Sequence, residues 1–153
     1  MLTTHIEHLM SNLDEINTLT PTHYYEVSEH YKHGIPLNPD YDKYIIAENN
    51  GEILYITLRD AGKLVGYYIG LLRQALHYKD CLTLALDIIY VSPESRGQKG
   101  GVLLLNAVIA EAKRRGVDVM TMGFKENHRE HMERLLQAVG MERFETHYSL
   151  WLK

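Results

Sequence analysis

The sequence has one cysteine and little net charge, and both scarcities limit what the protein can be. Cys81 alone cannot form an intrachain disulfide, which together with an amino-terminal segment that lacks signal-peptide character predicts a cytoplasmic protein. The formal net charge of −4 supplies no field that would draw the chain to nucleic acid or to an anionic membrane. No apolar run approaches the roughly 20 residues that span a bilayer. We therefore expect neither nucleic acid nor membrane among its partners.

The usual nucleotide and metal motifs are missing as well. Neither Gly-x-x-x-x-Gly-Lys-Ser/Thr nor Gly-x-Gly-x-x-Gly occurs, which excludes the common P-loop and dinucleotide-binding patterns. His128 and His131 are spaced three residues apart on a predicted helix, and His30 and His33 repeat that spacing. No cysteine or carboxylate cluster completes either pair, and His-Glu-x-x-His is absent, so we predict no metal site.

The rest of the composition is that of an ordinary globular chain. Hydrophobic residues make up 45% and charged residues 24%, which are globular values and exclude disorder. A length of 153 residues predicts a single domain over 1–153. Periodicity and turn residues predict a mixed sheet with helices on both faces. The predicted elements are, in chain order, a short strand over 2–9, a helical turn over 14–19, a helix that begins at Pro21 with Thr20 as its cap, a helix over 39–50, strands over 53–59, 64–72 and 82–91, a helix over 100–115, a strand over 117–122, a helix over 128–139 and a closing strand over 144–152.

A glycine-rich loop, Arg-Gly-Gln-Lys-Gly-Gly over 96–101, joins the 82–91 strand to the leucine-rich helix that follows. In such an arrangement successive backbone N–H groups converge, and the start of the helix adds partial positive charge. A phosphate or pyrophosphate is the ligand that fits this loop. The simpler alternative is a tight strand-to-helix turn with no ligand.

The loop resembles the acetyl-CoA loop of the GNAT family of N-acetyltransferases, whose motif reads Gln/Arg-x-x-Gly-x-Gly/Ala after a strand that ends in Val-x-Pro. Arg96 takes the first place and Gly101 the last, whereas Lys99 stands at the middle glycine and Gly100 is displaced by one. The resemblance covers about 64–153. It implies acetyl-CoA (coenzyme A) as the cofactor. It also implies an α/β (α+β) fold with a mixed, mostly antiparallel central sheet, helices on both faces and splayed central strands.

Acetyl transfer to an amine needs a held pyrophosphate, a polarised thioester carbonyl, a base and an acid. Asp87 is the predicted base, because a carboxylate in an otherwise apolar strand requires a partner or a function. A Tyr, His or Lys partner, or contact with water where the sheet opens, explains Asp87 equally well. The resemblance places the cofactor against the end of the strand, the loop and one residue before the last helix. The cofactor-binding residues predicted on this basis are Ile89, Tyr90, Val91, Arg96, Gly97, Gln98, Lys99, Gly100, Gly101, Val102 and Asn127.

The acid is where the chain departs from the family pattern. Family members commonly carry Asn-x-x-Ala-x-x-x-Tyr before the final Gly-Phe, and that tyrosine protonates the leaving thiolate. Here Arg129 stands at the asparagine place and Leu136 at the tyrosine place, while Asn127 lies near but out of register. Tyr148 on the closing strand is the predicted replacement, with packing as the alternative role for that tyrosine.

The resemblance implies an acetyl-CoA-dependent N-acetyltransferase that acts on a primary amine, of a small molecule or of a protein, by direct transfer in a ternary complex. The alternative is a catalytically weak or inactive module of the same fold that binds CoA or a host protein. Leu136 and Lys99 keep this alternative open.

Two narrower expectations concern origin and assembly. The segments 40–44, 62–67, 76–80 and 148–152 resemble a subgroup of the family that is frequent in bacteriophages and prophages. Apolar residues of the closing strand suit a homodimer contact, and they suit completion of the core equally well.

Overall fold

The protein is built around one five-stranded sheet with the strands in sequence order. The structure, a computed structural model, describes residues 1–152. Neighbouring strands from β1 to β4 pair antiparallel, and β4 and β5 pair parallel. The strands are β1 Leu2–Ile6, β2 Ile53–Asp60, β3 Lys63–Ala75, β4 Tyr78–Val91 and β5 Val119–Thr121. This mixed, mostly antiparallel sheet confirms the predicted fold class.

Helices cover both faces of the sheet because the strands bury side chains on both sides. In β2, Leu54 and Ile56 pack on one face with the helices over 100–114 and 129–138, while Ile53 and Tyr55 pack on the other with the helices over 13–27 and 41–49. Each fully buried aliphatic side chain of this kind contributes about 1.5–3 kcal/mol to folding. The helices are α1 Leu13–Val27, α2 Tyr41–Asn49, α3 Pro93–Arg96, α4 Gly100–Arg114 and α5 Arg129–Ala138, with 3-10 turns at Met10–Asn12, His30–His33 and Glu126–His128.

A β-bulge at Asp87 interrupts the β3–β4 ladder. Ile88 lies opposite Ile69 and Leu86 lies opposite Gly70, so that Asp87 is the extra residue on β4. The bulge changes the phase of the strand. Before it, alternate residues such as Leu86 face α4 and α5, and after it Ile88 faces α1 and α2. Asp87 and the residue after it are therefore both presented to the α1–α2 side of the sheet.

Strands β4 and β5 separate soon after they pair. The ladder joins only Thr83–Ala85 to Val119–Thr121. Over Leu86–Val91, β4 has no partner on its β5 side among residues 1–152. The central strands are therefore splayed, as the family resemblance implied, and the backbone at the end of β4 is open on one edge.

The predicted start of the first helix at Pro21 is wrong. Helix α1 begins at Leu13 and continues through Pro21 to Val27. The proline removes one backbone hydrogen bond, but Ile16 before it and His23 after it are both buried against the sheet, and that packing keeps the two halves together. The Thr20 hydroxyl does not cap a helix start; it donates to the Ile16 carbonyl at 2.8 Å.

The predicted closing strand over 144–152 is also wrong. The alternating residues are there, but nothing in the described chain pairs with them, and 141–152 has no regular secondary structure. Strand character in a sequence requires a partner edge, and β5 offers a ladder of only three residues. Trp151 instead stacks on the His33 ring, with centroids 3.7 Å apart. The other predicted elements are present with shifted ends.

A half-buried ion network fastens β1 and α1 to β2. The Arg59 guanidinium, 14% exposed, donates to both oxygens of Glu7 at 2.7 and 2.8 Å and to both oxygens of Glu15 at 2.9 Å. It also donates to the Asn12 side chain at 3.0 Å. These bonds hold the pKa of the Glu7 carboxyl down at about 2.

Arg59→Met should destabilise the protein by about 3 kcal/mol, because it leaves two carboxylates close together without their cation. Urea unfolding measures this. The matched control is Arg134→Met, which removes the arginine of an exposed pair, 71% and 88% exposed, and should cost less than about 0.5 kcal/mol. Equal losses in the two variants would show that the Arg59 network does not stabilise the fold.

Candidate active site

The start of helix α4 presents four backbone donors. The first N–H group of α4 with a backbone acceptor is that of Leu103, which donates to the Lys99 carbonyl at 3.0 Å. The preceding N–H groups have no acceptor within residues 1–152; they are those of Lys99, Gly100, Gly101 and Val102. No side chain caps the helix. Four consecutive N–H groups at the positive end of a 15-residue helix form a site for an anion.

The two positions at which the loop departs from the family motif, Lys99 and Gly100, have different backbone requirements. Lys99 adopts φ 61°, the left-handed region that favours glycine, at the place where the family motif has its middle glycine. Gly100 is needed for a different reason: a Cβ there would lie 2.8 Å from the Ser95 carbonyl oxygen and 3.0 Å from Leu58 Cδ2. The loop therefore holds a lysine in a strained conformation at the place where the family motif has a glycine.

Lys99→Gly should raise the free energy of unfolding by about 0.5–1 kcal/mol. The gain from removing the left-handed strain exceeds the loss that comes from the greater backbone entropy of glycine in the unfolded chain. Lys125→Gly is the matched control, because Lys125 is exposed with φ −73° and gains nothing from the change. Urea unfolding compares the two. A Lys99 variant that loses as much stability as the Lys125 variant would contradict the strain.

The guanidinium of Arg96, the first residue of the motif, bonds to other residues of the protein. Its Nε donates to the Val91 carbonyl at 2.8 Å, and its guanidinium pairs with Glu26 of α1 and lies 5.8 Å from the centre of the Tyr90 ring. Glu26 also accepts a hydrogen bond at its backbone carbonyl from His128 Nε2, at 2.9 Å. In this arrangement Arg96 joins the end of β4 to α1. Gly97 and Gln98 are exposed in the loop beside it.

The open edge of β4 supplies further backbone groups. The Ser92 N–H donates to the Val65 carbonyl of β3 at 2.7 Å. Because peptide groups alternate sides along a strand, those of Tyr90 turn toward β3 and those of Ile89 and Val91 turn toward the gap beside β5. The Val91 carbonyl is used by Arg96. Ile89 is left with backbone groups that can pair, strand-like, with an extended ligand.

Asp87 has a partner, Tyr44 of α2. The Tyr44 hydroxyl donates to the Asp87 carboxylate at 2.5 Å, and Asp87 is exposed at the bulge. Burial and the neighbouring carboxylate raise the pKa of Tyr44. A tyrosine partner and contact with water are both present, as the non-catalytic alternatives for Asp87 required. They leave the carboxylate oriented and exposed on the α1–α2 side.

An apolar cavity of about 350 Å³ lies next to the bulge, between α1, the 35–39 segment, α2 and the sheet. Ile69 and Ile88, the bulge neighbours, line its sheet side, and Tyr44 lines its α2 side. Asp87 does not line the cavity itself; its carboxylate is bound to the Tyr44 hydroxyl at the α2 side of the cavity.

His23 of α1 is buried at the wall of this cavity. It is 3% exposed, its Nδ1 hydrogen bonds with the Tyr67 hydroxyl at 2.9 Å, and its ring lies 4.7 Å from that of Tyr90. Burial lowers the pKa of His23 to about 4, so that the imidazole is neutral at pH 7.

We expect stability to fall from pH 6.5 downward. A buried neutral histidine with a pKa of about 4 takes up a proton when the chain unfolds between pH 6.5 and 4, so acid favours the unfolded state in that window. Below pH 4.5, protonation of Glu7 and Glu111, whose pKa values the neighbouring arginines hold at about 2, adds to the loss. Thermal unfolding between pH 7 and 3 measures this. His23→Gln should flatten the upper part of the curve, and a wild-type midpoint unchanged from pH 6.5 to 4 would contradict it.

Two predicted site residues lie apart from this arrangement. Tyr148, the predicted acid, is 95% exposed on the carboxy-terminal segment that forms no strand. Asn127 is exposed in the 3-10 turn before α5, one residue from His128, which contacts the end of α1. Leu136, at the family's tyrosine place, is buried in the core beside α4 and provides no acid. The structure contains no cluster of three His, Cys, Asp or Glu side chains within 1–152 that could hold a metal ion.

The sequence reasoning missed Tyr44, His23 and the cavity. One signal was present: the adjacent Ile88 and Ile89 break the alternation that runs from Leu82 to Leu86, which marks the bulge and predicts that Asp87 turns toward α1 and α2. The contact with Tyr44 depends on how α2 docks, and no local pattern encodes it.

A model of the acetyltransferase (GNAT) family matches residues 13–141. The chain therefore belongs to this family. The assignment confirms the predicted class of enzyme, an acyl-CoA N-acyltransferase of the GNAT type, and acetyl-CoA as its cofactor. The unpaired N–H groups at the start of α4 and the open edge of β4 fit that cofactor.

Solved structures share the fold over almost the whole chain. They include an aminoglycoside acetyltransferase, meta-AAC0020, from an uncultured soil metagenomic sample (TM-score 0.73, 12% identity, 100% of this chain and 96% of that chain). A ribosomal-protein-alanine N-acetyltransferase of Brucella melitensis biovar Abortus 2308 is also similar (TM-score 0.72, 15% identity, 99% of each chain). So is an acetyltransferase of Clostridium acetobutylicum solved with acetyl-CoA (TM-score 0.68, 14% identity, 99% of this chain and 97% of that chain). A search of curated proteins finds no match.

None of the helices in 1–152 has the length and apolar character to cross a membrane.

Proposed function

We propose that the protein transfers the acetyl group of acetyl-CoA to a primary amine by direct attack in a ternary complex. The observation that carries the proposal is the set of four unpaired N–H groups, at 99–102, which lies at the end of the splayed β4 edge. These donors would hold the pyrophosphate. Ile89 would pair with the extended arm of the cofactor, which brings the thioester toward the bulge.

At the bulge, Asp87 would bind the acceptor ammonium and accept one of its protons. The amine nitrogen then attacks the thioester carbonyl carbon, and the excess proton that the nitrogen still carries passes to water as the carbon–sulfur bond breaks. The CoA thiolate takes a proton back from that water, so that the proton held by Asp87 is the one released overall. The Tyr44 hydroxyl fixes the orientation of the carboxylate. Tyr148 stays a prediction as the acid, and its exposure gives it no support.

Initial rates measured over a grid of acetyl-CoA and amine concentrations test the direct route. Direct transfer in a ternary complex gives double-reciprocal lines that intersect. Parallel lines would mean that the acetyl group first moves to the enzyme, and would overturn this part of the proposal.

A module that binds CoA without turnover is the second candidate. Leu136 in the core and the strained Lys99 favour it, because one removes the family's acid and the other alters the loop. The subgroup found in phages and prophages, the cytoplasmic location, the single domain over 1–153 and the homodimer stay predictions.

A further inference from the structure

The titratable lining residues of the cavity beside the bulge are tyrosines and two histidines, His23 and His30. Its lining consists of aliphatic, aromatic and small polar residues, and none of them is Asp, Glu, Lys or Arg. Four tyrosines contribute to the wall. The wall includes Ile16, His23, Leu37, Tyr44, Tyr67 and Ile88.

The polar groups of the wall are largely satisfied within the protein. The His23 ring and the Tyr67 hydroxyl bond to each other, and the Tyr44 hydroxyl is bound to Asp87. The imidazole is neutral at pH 7, since burial lowers the pKa of His23 to about 4. A ligand body that enters the cavity therefore meets hydrocarbon and ring faces.

The nearby carboxylates are occupied by structural contacts. Glu48 accepts from the N–H groups of Leu9 and Met10 at 2.6 and 3.2 Å, and Glu26 pairs with Arg96. Glu15 belongs to the Arg59 network. Asp87 does not itself line the cavity, but it precedes the lining residue Ile88 and its carboxylate accepts from the hydroxyl of the lining residue Tyr44. One ammonium can therefore pair with Asp87 at the cavity's edge, whereas a second cation meets no carboxylate in the cavity wall.

The apolar surface continues outward from the cavity. The 34–39 segment contributes Ile35 and Leu37, 43% and 45% exposed, and a second groove under it is bordered by Tyr24, Tyr25 and Tyr31, whose rings meet edge to face. Such a surface suits an aromatic or aliphatic body.

We propose that the acceptor is a monoamine with an aromatic or aliphatic body, which lies in the cavity with its ammonium at Asp87. The proposal rests on the proposed acetyl transfer for the identity of the reacting end. It separates this protein from polycationic acceptors, because the cavity supplies one carboxylate and an apolar wall.

Binding of amines to the protein saturated with CoA tests the proposal without any need for turnover. Calorimetric titration should show 2-phenylethylamine binding at least tenfold more tightly than 1,5-diaminopentane or kanamycin. Leu37→Asp should weaken 2-phenylethylamine at least threefold and leave the diamine no weaker, because it replaces apolar surface at the cavity wall with a second carboxylate. Leu76→Asp is the control, since Leu76 is 99% exposed outside the cavity, and it should change neither affinity.

A diamine or kanamycin that binds the wild type as tightly as 2-phenylethylamine would overturn the acceptor class. No binding of 2-phenylethylamine at millimolar concentration would overturn it too. Tight binding of 2-phenylethylamine without any acetylation would support the ligand class and overturn the proposed reaction, so the two failures are distinguishable.

Discussion

Gly101→Glu should abolish the stabilisation that acetyl-CoA gives to the wild-type protein. Gly101 is the second residue of α4, and its N–H is one of the four donors without an acceptor. A glutamate there places a carboxylate in the first turn, where it takes up the donors and repels the pyrophosphate. The same charge is favourable to the helix itself, so the variant should fold without the ligand.

Thermal unfolding with and without acetyl-CoA measures this effect. At a ligand concentration about 100 times Kd the wild type gains about 2.7 kcal/mol by mass action, which raises Tm by roughly 5–10 °C. The variant should gain nothing. Its new side chain must displace Leu135, 3.2 Å from the position of the added Cβ, so its own midpoint without ligand is recorded as well.

The matched control is Ala110→Glu, which adds the same charge to an exposed position farther along α4. It should keep the full response to acetyl-CoA. An equal loss of the response in both variants would mean that net charge, and not the start of α4, decides binding.

Asp87→Asn should lower kcat for amine acetylation by about 100-fold, the usual contribution of a positioned proton acceptor. The amide keeps the shape at the bulge and a hydrogen bond with Tyr44, so the fold and acetyl-CoA binding should be unchanged. It loses the charge that attracts the ammonium, and the KM of the amine should rise too.

Two comparisons separate chemistry from structure. Asp80→Asn, an exposed aspartate at the other end of the same strand, should leave kcat unchanged. Tyr44→Phe removes the hydroxyl that orients the carboxylate and should cost about tenfold, less than the loss of the carboxylate itself. An Asp87→Asn enzyme with wild-type kcat would show that Asp87 is a structural partner of Tyr44 and has no catalytic role.

Much of the fold could be predicted because local sequence patterns determine many of its helices, strands and turns. The glycine loop before a leucine-rich helix, the Asp60–Gly62 turn and the alternation in β2 each determine their structure over a few residues. The same holds for the anion site, since backbone donors at the start of a helix need only the loop that precedes them. The conformation of Lys99 could not be predicted this way: a lysine seldom adopts a left-handed backbone, yet Lys99 has φ 61°.

The features that were predicted wrongly or not at all depend on tertiary packing. Pro21 marks a helix start in isolation, but burial of Ile16 and His23 carries α1 through it. The alternation of the last residues predicts a strand, and the structure gives it no edge to pair with. The cavity beside the bulge needs α1, α2 and the 35–39 segment in their docked positions, and the composition of its wall cannot be predicted from any one of them.

The most direct test of acetyl transfer is the release of free CoA thiol from acetyl-CoA as a function of added 2-phenylethylamine, with the amine followed by mass spectrometry. The proposed function predicts that thiol release rises with amine concentration and saturates, and that each thiol is matched by one acetylated amine. Stabilisation by acetyl-CoA with no thiol released in the presence of any amine would contradict it, and would identify the protein as a module that binds CoA without turnover.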